Sequence, residues 1–210
     1  MSTKLKIAAA VAAAVLLSAC SSPKHEPMPL VKFTPSMEVT EVWSKGLSSA
    51  EGFLVPAVYD DMVFAAGGKT LTRLNARTGE TEWSVSFNSP ITGGVGSDGY
   101  VTAVGLWDGN LEVVDAEGKV SWEKKLTTEL ASPPVVSHGL VIARTMDTRV
   151  SAFEASSGEL QWTYQRSQPA LTVRLPTRML AHDNFLLVGQ PNGHIVILDI
   201  ASGKPMFEFQ

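Results

Sequence analysis

Pro134-Val135-Val136-Ser137, His138-Gly139, Leu140-Val141-Ile142-Ala143, Asp147-Thr148, Val150-Ser151-Ala152-Phe153, Ser157-Gly158 and Leu160-Gln161-Trp162-Thr163-Tyr164 follow one another in a single stretch of the chain. The four apolar runs are of strand length, and the run from Val150 to Phe153 alternates with period two. The separators His138-Gly139, Asp147-Thr148 and Ser157-Gly158 are tight-turn residues that tolerate positive φ. The stretch predicts four antiparallel strands in meander order. The same sentence occurs three more times. Asp60-Asp61, Asp98-Gly99 and Asp183-Asn184 take the first turn, and Gly67-Gly68, Asp108-Gly109-Asn110 and Asn192-Gly193 the second. The third turn and the aromatic after it read Thr78-Gly79-Glu80-Thr81-Glu82-Trp83, Glu117-Gly118-Lys119-Val120-Ser121-Trp122 and Ser202-Gly203-Lys204-Pro205-Met206-Phe207. A period of about 40 residues filled with short strands predicts an all-β propeller of four-stranded antiparallel blades.

The second strand of each copy is apolar on both faces, as in Val63-Phe64-Ala65-Ala66, Val101-Thr102-Ala103-Val104 and Leu186-Leu187-Val188. A strand buried on both sides lies between two layers, which stacked blades provide. The recurring rings Trp43, Trp83, Trp122, Trp162 and Phe207 are expected to pack blade against blade, since a large ring buries much apolar area and an indole seeks an acceptor. A tryptophan cofactor box is the alternative. Trp43-Ser44-Lys45 reads as a lone last strand ahead of the first complete blade. The fourth copy already has its own last strand, Met206-Phe207-Glu208-Phe209, so the N-terminal strand finds no vacancy. Four blades of a larger propeller are therefore expected, with closure by a second copy as the alternative.

Ahead of the repeats lies an address. Lys4 and Lys6 precede an Ala-rich apolar run, Ile7 to Leu17, too short to span a bilayer. It ends in Leu17-Ser18-Ala19-Cys20, which resembles a bacterial lipobox. That resemblance implies cleavage after residue 19 and lipid on Cys20, while Ser21 in place of Asp implies sorting to the outer membrane. Buried acyl carbons contribute about 0.8 kcal/mol each, and one chain alone anchors only marginally. Cys20 is the only cysteine, so no disulfide or thiolate metal site is expected. The expected organisation is a signal peptide over 1–19, a lipidated Pro- and Ser-containing tether over 20–39, and the propeller over 40–210. The net charge is −4 and there is no basic run, which makes nucleic acid and anionic lipid surfaces poor partners.

The one irregular connection lies between the third and fourth blades, where residues 166 to 178 exceed the length found between the other blades. Insertions in repeat proteins map to loops, often on a binding face. Leu171 and Val173 would point the same way in an extended segment stiffened by Pro169 and Pro176, with Arg174 beside them. Two apolar residues with an adjacent arginine make an interface anchor. Equally, Leu171 and Val173 could extend the first strand of the fourth blade and pack inward.

Lipobox, tether, repeats ending Gly-x-x-x-Trp and this loop together resemble the family of the outer membrane protein assembly factor BamB, over its N-terminal half. The resemblance implies an eight-bladed propeller of the PQQ-enzyme-like repeat type, of which about four blades are here. It implies a non-enzymatic scaffold without cofactor or metal, lipid-anchored at the periplasmic face of the outer membrane. Its partner would be a BamA-like barrel protein, bound through periplasmic POTRA domains. Leu171-Thr172-Val173-Arg174 is similar to a family contact loop Leu-x-Leu-Arg, with Leu175 where that loop carries Gly. Two other classes share the blade. A quinoprotein dehydrogenase would need a Ca²⁺ site of oxygen ligands and a carboxylate base, yet Asp60, Asp61, Asp98, Asp108, Asp147 and Asp183 all sit at turns that explain them. His138 and His194 lie at turns without metal-ligand spacing. A glycan-binding propeller could use Trp107 beside Asp108-Gly109-Asn110, which is also a hairpin tip.

Overall fold

The computed structural model describes residues 29–30, 33, 36–48, 54–166 and 177–210. The signal peptide, Cys20, Leu171, Val173 and Arg174 lie outside the described residues. The chain divides into two units, Met1–Thr40 and Glu41–Gln210. The described residues of the first carry no strand. The described residues of the second form sixteen strands in four separate sheets.

Blade one comprises β1 (Ala57–Tyr59), β2 (Met62–Gly67), β3 (Thr70–Asn75) and β4 (Thr81–Ser86). Blade two comprises β5 (Ile91–Ser97), β6 (Thr102–Leu106), β7 (Asn110–Val114) and β8 (Val120–Lys125). Blade three comprises β9 (Val135–Ser137), β10 (Leu140–Arg144), β11 (Val150–Glu154) and β12 (Leu160–Tyr164). Blade four comprises β13 (Leu180–His182), β14 (Phe185–Gly189), β15 (Ile195–Asp199) and β16 (Pro205–Phe209). Each is an antiparallel meander in sequence order. The innermost strands adjoin one another, β1 against β5, β5 against β9 and β9 against β13.

Alternation sends successive side chains of a central strand into different cores. Val141 and Ala143 of β10 face blade two with Ala103, Val113 and Phe153. Leu140 and Ile142 face blade four with Leu186, Val188 and Leu198. A third core joins blades one and two around Phe64, Leu71, Val104 and Leu106. Blades two and three are thus each half of two cores, which is why their second strands are buried along their whole length. Blade four departs from this. Of β14, Leu186 and Val188 are buried but Phe185 is exposed, and the outer strand β16 is exposed along its whole length.

The turn chemistry follows the sequence. Asp60, His138 and Asp183 adopt φ of 47°, 54° and 48° at the first turns. At the second turns Gly68, Gly109 and Gly193 have positive φ, and in blade three Thr148 takes the same conformation at 67°. In all four third turns the glycine amide donates back to the carbonyl of the last residue before the turn, Asn75, Asp115, Glu154 or Asp199, and in blades one, two and four a side-chain oxygen of that residue also caps the turn. Asp115 Oδ1 accepts from the Glu117 and Lys119 amides, and Asp199 Oδ1 from the Ser202 amide. Each blade carries a β-bulge beside this turn, at Arg73/Leu74, Val113/Val114, Ala152/Phe153 and Ile197/Leu198. A bulge bends the outer strand and re-aims the residue next to it, and here that residue's partner is the ring.

Candidate functional site

The recurring ring and the Gly turn form one joint. Trp83 Nε1, on blade one, donates to the Ala116 carbonyl of blade two at 2.9 Å. Trp122 Nε1 donates to Ala155 O and Trp162 Nε1 to Ile200 O, each at 2.9 Å. Trp43 does the same to Ala76 O at 2.9 Å, so the segment ahead of blade one docks as a last strand would. The ring lies flat over the glycine of the receiving turn. A Cβ on Gly79, Gly118 or Gly158 would stand 2.6–2.7 Å from Trp43, Trp83 or Trp122. These glycines also have φ of 71–81°, so they are required twice, by backbone and by contact. Arg73 adds a second clamp between blades one and two: its Nη1 also donates to Ala116 O, at 3.0 Å, and its guanidinium lies 5.8 Å from the Phe64 ring centroid. Phe207, read with these rings as a blade-packing residue, is the exception. It is 54 % exposed, because no described residue offers it a Gly turn.

The flanks of the 166–178 connection are held by polar contacts. Upstream, Arg166 pairs with Glu208 of β16, and the same carboxylate lies 2.6 Å from His194 Nδ1. Arg166 foremost, with His194, holds the Glu208 carboxyl below its usual range. His194 is therefore a hydrogen-bond partner of Glu208 rather than a free turn histidine. Downstream, Arg144 Nη1 donates to Thr177 Oγ1 at 2.6 Å, and that hydroxyl donates on to Gly189 O at 3.3 Å. Arg144 is 3 % exposed, its Nε has no partner, and burial lowers its pKa. Neither anchor was visible in the sequence: Arg144 ends an apolar strand, and nothing in its neighbours announces Thr177 33 residues later. Leu171, Val173 and Arg174 lie between these anchors.

Other expected residues fall as follows. Trp107 is 62 % exposed at the second turn of blade two, with Asp108 capping the Asn110 amide. His138 accepts or donates at Ser137 Oγ, 2.8 Å away. Among the described residues no group of three His, Cys, Asp or Glu could hold a metal ion, and no helix is long and apolar enough to cross a membrane. Glu112, 7 % exposed on β7, stands in register with Glu123 of β8. Burial first, then the neighbouring Glu123 carboxylate, pushes its pKa up to about 7.

Four ring-on-glycine joints between four-stranded blades are a repeat grammar that comparison can place. The family model described as PQQ_2, outer membrane protein assembly factor BamB, matches residues 67–208. The chain belongs to the BamB family. It is 36 % identical over 206 residues to the outer membrane protein assembly factor BamB of Burkholderia pseudomallei, covering 95 % of this chain and 54 % of that protein. It is 32 % identical to the Bordetella pertussis protein of the same name, covering 91 % and 52 %. The chain thus spans about half the length of the curated relatives it matches. Among solved structures, BamB of Moraxella catarrhalis superimposes with a TM-score of 0.66 at 28 % identity, over 74 % of this chain and 48 % of that one. A quinohemoprotein alcohol dehydrogenase of Pseudomonas putida superimposes with a TM-score of 0.62 at 17 % identity, which shows the shared fold alone. The all-β propeller of PQQ-like blades expected from the sequence is the fold found.

Proposed function

We propose that this chain is a lipid-anchored, periplasm-facing scaffold of outer membrane protein assembly, without chemistry of its own. The observation that carries the reading is the family match over 67–208, joined to relatives that are each an outer membrane protein assembly factor. Cys20 would carry the lipid, several acyl chains giving stable attachment where one would not. The partner would be a BamA-like outer-membrane barrel protein, engaged through its periplasmic POTRA domains. Leu171 and Val173 would supply the apolar anchor, and Arg174 a permanently charged fork for a carboxylate or backbone carbonyl. Support comes from the flanks: Arg166 is held by Glu208 of β16 and Thr177 by Arg144 of β10, so both ends of the connection are fixed to neighbouring strands.

The test is a pull-down of tagged chain from detergent-solubilised envelopes beside Arg174→Glu. The expected result is recovery of a large barrel protein by the parent and loss of about 2 kcal/mol or more of binding in the variant, the scale of a central interface arginine. Equal recovery with unchanged melting would remove the loop from the interface. Recovery by neither, with a cooperative melt, would remove the scaffold reading for this chain.

A further inference from the structure

The two ends of the strands differ in charge. The end built from first and third turns carries Asp60, Asp61, Asp98, Asp115, Asp183 and Asp199. The opposite end, built from second turns and inter-blade connections, carries Lys69, Lys124, Lys125, Arg149 and Arg178 alongside the acids Asp108, Glu129 and Asp147. At that end a groove of about 230 Å³ opens between blades two and three. Its floor is Leu126, Phe153 and Leu160, and its polar wall is Lys124, Arg149 and the hydroxyl pair Ser151–Thr163, 3.3 Å apart.

The joint between these blades has two internal comparisons. Lys124 stands two residues after the docking ring Trp122 and faces Ser151 and Thr163 on the next blade. Lys45 stands two residues after Trp43 and lines a groove with Thr72 and Ser84, whose hydroxyls are 3.1 Å apart. Between blades one and two the pattern inverts: Val85 takes the lysine position, and Glu112 with Glu123 take the hydroxyl positions. A lysine kept for internal stability would face that acid pair. Instead each cation faces neutral hydroxyls, which cannot offset its charge. The Lys124 ammonium has no ion pair or hydrogen bond among the described residues. Arg149 has only Asp147 at 3.9 Å, and its Nε is without a hydrogen bond. Two under-compensated cations at the rim of an apolar floor call for a carboxylate from outside. The volume is below the roughly 300–1,000 Å³ of small-molecule sites, so the groove fits one or two side chains.

We propose that the groove between blades two and three docks an acidic segment of a protein partner, a Glu or Asp side chain reaching Lys124 and Arg149 while an adjacent apolar side chain fills the floor. None of the groove's lining residues belongs to the 166–178 connection, and the proposal does not depend on it.

The experiment uses the full chain in detergent and fluorescein-labelled octapeptides of alternating Leu with Glu, Gln or Lys, read by anisotropy. The Leu–Glu peptide is expected to bind about tenfold more tightly than Leu–Gln, and to weaken as salt is raised. Lys124→Glu should weaken Leu–Glu about tenfold and make Leu–Lys the preferred peptide, whereas Lys119→Glu at the opposite end changes nothing. A reversed preference cannot come from misfolding, so it supports the site even if Lys124→Glu lowers stability. Equal binding of Leu–Glu and Leu–Gln, or a Lys124→Glu variant that keeps the parent preference, overturns the proposal. So does loss of binding to phosphatidylglycerol vesicles in Lys124→Glu with peptide binding intact, which would assign the cations to a lipid headgroup.

Discussion

Thr148 holds φ of 67° at a position where the other blades use glycine, and its hydroxyl is buried without a partner. A β-branched residue in the left-handed region costs about 1–2 kcal/mol, and an unpaired hydroxyl adds to that. Thr148→Gly gives back part through backbone entropy. The net expectation is a gain of about 1 kcal/mol, or about 2–4 °C in Tm, read by a thermal melt. A lowered Tm would mean that the hydroxyl has a partner in solution. Glu112 gives a second residue-scale prediction. Its folded pKa of about 7 lies above the ordinary 4.5, so the folded state keeps a proton that the unfolded chain has released. Stability therefore falls as pH rises from about 4.5 towards 7 and levels off above. Glu112→Gln should remove that slope and stabilise the protein at pH 8 more than at pH 5, checked by urea titrations at both pH values.

At the scale of the element the joint is the unit. Gly118→Ala forces a Cβ to 2.7 Å from Trp83 and strains a φ of 81°. It is expected to cost about 2–3 kcal/mol, lowering Tm by about 5–10 °C. Trp122→Phe keeps most of the ring but strands the Ala155 carbonyl, a loss of about 1–2 kcal/mol. Trp122→Ala adds a cavity and should cost about 3–5 kcal/mol. If Trp122→Phe proved as damaging as Trp122→Ala, the hydrogen bond and not the packing would dominate the joint. The same joint explains the regular spacing of the sequence. The bulge, the hydrogen-bonded turn and the glycine all serve to present one carbonyl and one bare Cα to the preceding ring.

For the whole molecule, the uncovered side is blade four. Met206, Phe207 and Phe209 of β16 are exposed, as are Leu180 and Ile195. Large apolar side chains exposed along an outer strand favour association. Expressed as these 210 residues, the chain is expected to self-associate with concentration, and Phe207→Glu with Phe209→Glu to shift it towards monomer in sedimentation velocity. Monomeric parent at high micromolar concentration would show that this face is tolerated in water.

Strand count, turn positions, blade order and the two-faced burial of the second strands in blades two and three were legible in the sequence, because each depends on near neighbours: period-two alternation, residues that accept positive φ, and a ring at a constant offset from a glycine. The partner of each ring was not legible, since the Ala155 carbonyl is reached by Trp122 across a blade boundary. Nor was Phe207's exposure, which depends on what stands beyond its own strand. Arg144 reads as a strand-ending cation until packing places it under Thr177. Lys124 reads as a solvated lysine until the next blade brings Ser151 and Thr163, rather than an acid, to face it. The sequence by itself determined the blades, whose bonds are local. Only the tertiary structure decided the grooves and anchors, because their charges and hydroxyls come from strands that meet only when one blade stacks on another.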